Sequence, residues 1–101
     1  MRLSAFQRQT IVEAVREAFG TEAKTFLFGS RTDATKRGGD IDLLVEVPAP
    51  SQDLLTKKVQ ALGRIQRKIG EQKIDLVVTD GSLEQESLLV VRNARKKGVL
   101  L

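Results

Sequence analysis

Apolar residues early in the chain recur at helical spacing: Ile11, Val12, Val15, Ala18 and Phe19 share one stripe. Ser4, with Gln7 three places on, supplies a capping box, and Gly20 stands where a C-terminal cap belongs. The pattern predicts a first helix. Thr25-Phe26-Leu27-Phe28 is a short apolar run ending at Gly29 and reads as a strand. Residues 31 to 39 are polar, basic and closed by Gly38-Gly39, the composition of a loop. Ile41 to Val47 forms a second strand, stopped by Pro48 and Pro50. Leu55, Val59, Leu62, Ile65 and Ile69 fall on one face of a second helix ending at Gly70. Ile74 to Thr79 is a third strand closed by Asp80-Gly81, and Ser82 with Gln85 caps a last helix running to about Lys97. Helix, strand, strand, helix, strand, helix defines an α/β (α+β) domain. The expected sheet is small and mixed, of about three strands, with helices covering one face.

Parity along the strands separates the faces. Ile41, Leu43, Val45 and Val47 make one wholly apolar face, while Asp40, Asp42, Leu44 and Glu46 occupy the other. In the third strand Ile74, Leu76 and Val78 are apolar, and Asp75, Val77 and Thr79 make a mixed face. If these strands are neighbours, Asp40, Asp42 and Asp75 converge on one small volume. With no Lys or Arg on those faces, their mutual repulsion calls for a cation.

The 101 residues suit a single domain over 1–101, since two cores would leave each half too small to stabilise itself. The chain has no Cys and no His, which excludes a disulfide framework, a thiol nucleophile, a zinc ribbon and any Ser-His-Asp arrangement. Chemistry must therefore run on carboxylates, hydroxyls, Lys and Arg, and a metal would be a hard cation such as Mg²⁺. Two Mg²⁺ ions about 3.5 to 4 Å apart are the known clamp for in-line phosphoryl or nucleotidyl transfer. Phe28-Gly29-Ser30 offers a phosphate cradle at a strand end, and Arg31 a bidentate fork for phosphate oxygens.

Each piece has a plainer account. Gly29-Ser30 alone is a turn, and Asp40-x-Asp42 alone can begin a strand at a solvated edge. Asp75, set between Ile74 and Leu76, is harder to dismiss. Lys36 and Arg37 read as a solvated loop, and Arg92, Arg95, Lys96 and Lys97 complement a helix dipole. The net charge of +4 invites nucleic acid, but four Phe as the only aromatics leave little for base stacking, so nucleic acid is not an expected partner. No membrane span or signal-peptide core is visible, and the cytoplasm is the default address.

Gly29-Ser30, then Asp40-Ile41-Asp42 on a strand, then Asp75 within Lys73-Ile74-Asp75-Leu76-Val77-Val78, resembles the signature of DNA polymerase β-like nucleotidyltransferases. The likeness is greatest to the minimal nucleotidyltransferases, small antitoxins paired with HEPN-type toxins, and it spans about residues 5 to 98. The resemblance implies the nucleotidyltransferase fold, ATP as substrate and two Mg²⁺ ions. Gly29 and Ser30 would hold the β and γ phosphates, Asp40 and Asp42 would ligate both ions, and Asp75 the ion serving the acceptor hydroxyl. It also implies transfer of AMP to a tyrosine of the partner toxin. A non-catalytic module that neutralises its partner by covering it is the alternative. The apolar run Leu88 to Val91 and the tail Val99-Leu100-Leu101 suggest contact with another chain, either the toxin or a second copy in a homodimer.

Overall fold

The fold is given by a computed structural model that describes residues 3–28, 41–48, 53–70, 72–80 and 98–101. Its order is α1 (Ala5–Phe19), β1 (Lys24–Phe28), β2 (Ile41–Glu46), α2 (Leu54–Ile69), β3 (Ile74–Thr79) and β4 (Val99–Leu100). The last helix expected from Ser82 to Lys97, with the run Leu88 to Val91, lies outside the described residues, as do Lys36 and Arg37. Neither described helix is long and apolar enough to cross a membrane.

α1 begins as its capping box requires. The Gln7 backbone N–H donates to Ser4 Oγ at 3.0 Å, and the Ser4 N–H donates to Gln7 Oε1 at 3.0 Å. Both described helices stop at a glycine, Gly20 (φ 103°, ψ 162°) and Gly70 (φ 89°, ψ 179°), in a backbone region that is essentially closed to other residues. The Gly70 N–H donates to the Gln66 carbonyl at 3.0 Å, which closes the last turn of α2.

The sheet has the order β3-β2-β1-β4. β1 is antiparallel to both β2 and β4, whereas β2 and β3 run parallel. A parallel pair needs a long crossover, and α2 lies within it. The sheet is thus mixed, as expected, and among the described residues it has four strands where about three were expected. The fourth comes from the tail: Leu27 pairs with Val99, Phe26 with Leu100, and the Leu101 N–H donates to the Thr25 carbonyl at 2.8 Å. Val99 and Leu100 remain exposed at this edge.

One face of the sheet carries the main core. Ile41, Leu43, Val45 and Val47 from β2 and its end pack with Leu27 of β1, Leu76 of β3, Ile11, Ala14 and Val15 of α1, and Ile65 of α2. Arg64 of α2 pairs with Glu17 of α1 across the outside of the two helices. The opposite face holds a smaller cluster in which Leu44 is fully buried against Phe26, Phe28 and Val77. Leu44 has Phe26 and Val77 as its direct register partners, so large side chains flank it on both sides.

The apolar stripe of α2 is buried only in part. Ala61 and Ile65 are buried, but Leu55 is 74% and Val59 61% exposed. At about 100° per residue, Ala61 and Ile65 project within about 20° of Leu54, while Leu55 and Val59 point about 100° and 140° away from it. Leu54, not Leu55, therefore joins the core. The apolar stripe is wider than the strip of sheet beneath it.

Candidate active site

The site is built by the parallel ladder between β2 and β3. Ile41 pairs with Ile74, Asp42 with Asp75 and Leu43 with Leu76. Because alternate residues face opposite ways, drawing Ile41 and Leu43 into the helix-covered core turns Asp42 to the other side. The same alternation acts on Asp75 between Ile74 and Leu76. Both carboxylates therefore leave the sheet on one face, from strands about 4.8 Å apart. Asp42 is half-buried and Asp75 exposed. On its other side Asp42 has Phe28 as its register partner, so Phe28, Asp42 and Asp75 form one row across three strands. The adjoining row of that face is the apolar set Phe26, Leu44 and Val77.

An open cleft follows this row and wraps the edge of β3. Phe28, Asp42, Asp75 and Val77 line it from the Asp42 face, Ile74 and Leu76 from β3, and Lys58 and Leu62 from α2. The sequence pattern places Phe28 at the strand end that leads into the Gly29-Ser30 cradle, and it assigns no chemistry to Lys58. Lys58 belongs to no motif, and its place depends on how α2 crosses β3.

Of the three aspartates expected to converge, the structure brings Asp42 and Asp75 together. Asp40 lies outside the described residues, and so do Gly29, Ser30 and Arg31, although Gly29 follows Phe28 and Asp40 precedes Ile41 directly in the chain. Among the described residues no group of three or more Asp, Glu, His or Cys side chains gathers around one point. The Asp42–Asp75 pair offers hard oxygen donors on rigid strands, which is the donor chemistry that suits Mg²⁺ rather than a soft metal.

The family model for a nucleotidyltransferase domain matches residues 8–101, nearly the whole chain. The protein belongs to this family, and the mixed sheet with the two helices of the described residues is consistent with the family's fold. A search of curated proteins gave no match.

Proposed function

We propose that the protein is a Mg²⁺-dependent nucleotidyltransferase that moves AMP from ATP onto a protein hydroxyl. The acceptor we propose is a tyrosine of a HEPN-type toxin, with the protein acting in the cytoplasm as the antitoxin of the pair. The observation that supports this reading is the register of Asp42 with Asp75 in a chain of the nucleotidyltransferase family. Asp40 and Asp42 would hold two Mg²⁺ ions and Asp75 one of them, while Gly29, Ser30 and Arg31 would hold the triphosphate. Bound Mg²⁺ would neutralise charge on the reacting phosphate and lower the pKa of the acceptor hydroxyl. In the transfer, the acceptor oxygen forms a bond to the α-phosphorus as the bond to the bridging oxygen breaks. Pyrophosphate leaves, and the hydroxyl proton passes to Asp75 or to water.

The test is transfer of labelled AMP from ATP to the protein co-purified as the partner, in Mg²⁺ and in EDTA. Asp42→Asn keeps the shape of the side chain and removes one charge from the pair. Loss of several kcal/mol of charge stabilisation predicts at least an approximately hundredfold fall in rate. Wild-type rates for Asp42→Asn, or transfer untouched by EDTA, would overturn the metal reading. Tight partner binding by the wild type without modification would establish the non-catalytic alternative instead.

A further inference from the structure

The cleft that holds Asp42 and Asp75 has one cationic wall. Among the described residues lining it, Lys58 is the single cation, in a cleft that also holds the carboxylates of Asp42 and Asp75. α2 packs on the face of the sheet opposite Asp42, and Lys58 reaches the cleft because β3 is the edge strand of the described sheet. Along α2, Lys58 projects about 40° from Leu54, between the buried line and the exposed flank. It is accordingly half-buried, with Leu62 one turn on and Ile74 and Leu76 lining the same wall. An apolar bed of this kind holds the four-carbon stem and leaves the ammonium at the rim.

Lys58 makes no salt bridge with Asp42 or Asp75 among the described residues. An ammonium that shares a cleft with two carboxylates without pairing to them stays available to an incoming anion. A triphosphate entering this cleft meets two negative side chains, and a point cation with three donors offsets that repulsion. We propose that Lys58 is a nucleotide-binding residue whose ammonium donates to a phosphate oxygen of the bound nucleoside triphosphate. This assignment rests on the nucleotidyl-transfer reading of the site.

The test is calorimetric binding of a non-hydrolysable ATP analogue with Mg²⁺ to the whole protein. Lys58→Gln is expected to weaken binding about tenfold, the effect of losing one charge-assisted hydrogen bond, while Lys58→Arg stays within about threefold of wild type. Lys68→Gln is the control. It removes the same charge from the same helix but lies in the groove between α1 and α2, and its affinity should equal that of wild type. In AMP transfer, Lys58→Gln should raise KM for ATP and leave kcat near its wild-type value. Wild-type affinity in Lys58→Gln, or an equal loss in Lys68→Gln, would overturn the assignment and leave the transferase reading standing. A wild-type protein that binds no nucleotide would overturn both.

Discussion

Asp42 and Asp75 face each other across a parallel ladder, so the metal-free protein holds two like charges on neighbouring strands. Asp75→Asn removes one of them and keeps the size of the side chain. Two unit charges about 5 Å apart repel by roughly 0.8 kcal/mol in a water-like medium and roughly 3 kcal/mol at an effective dielectric of about 20. Asp75 is solvent-exposed and Asp42 has an interaction of its own, so the low end of that range applies. The variant should therefore be more stable than wild type without metal, by about 0.5–1 kcal/mol. For a chain of this size that is a rise in Tm of about 2–8 °C. Thermal unfolding followed by circular dichroism in EDTA measures it directly. Millimolar Mg²⁺ should then raise the wild-type Tm more than that of the variant, because a ligand of the folded carboxylate pair stabilises only a chain that retains it. A residue whose removal stabilises the fold is there for something other than the fold. An Asp75→Asn chain melting at or below wild type in EDTA would refute the pairing of these charges.

Two further predictions concern the scaffold and are read by urea denaturation. Ile65→Ala should cost about 2–5 kcal/mol, as truncation of a fully buried side chain does, whereas Leu55→Ala on the same helix should change stability by less than about 0.5 kcal/mol; equal costs would mean that α2 is rotated from the orientation described. Gly70→Ala has open space for its Cβ but must adopt φ 89°, so about 1–3 kcal/mol should be lost to backbone strain alone, and an unchanged midpoint would refute that.

Much of this arrangement is legible in the chain because it depends on local periods. The capping box at Ser4 and Gln7, the stop glycines and the parity of Ile41 to Val47 are short-range facts, and parity alone assigns Asp42 and Asp75 to uncovered faces. Parity does not say which strands are neighbours, so the alignment of Asp42 with Asp75 needed the parallel pairing of β2 and β3. Val99 and Leu100 carry too few residues to announce a strand, and they become one by pairing with Phe26 and Leu27. Leu55 and Val59 satisfy the helical stripe, yet a periodic pattern contains no information about the width of the sheet beneath it. The burial of Leu44 was hidden for a related reason, since its shelter comes from Phe26 and Val77 on other strands.

The ladder that aligns Asp42 with Asp75 also protects that alignment against error. Sliding β3 by one residue along β2 would turn Asp75 toward the helices and push Ile74 and Leu76 out to water. Exposing Leu76 and burying an unpaired carboxylate would each cost about 1.5 kcal/mol or more. The hydrophobic core thus acts as a proofreader for the spacing of the carboxylates: a chain that folds with its oily residues inside has, by the same act, set Asp42 and Asp75 abreast. A single inserted residue within β3 would abolish that alignment.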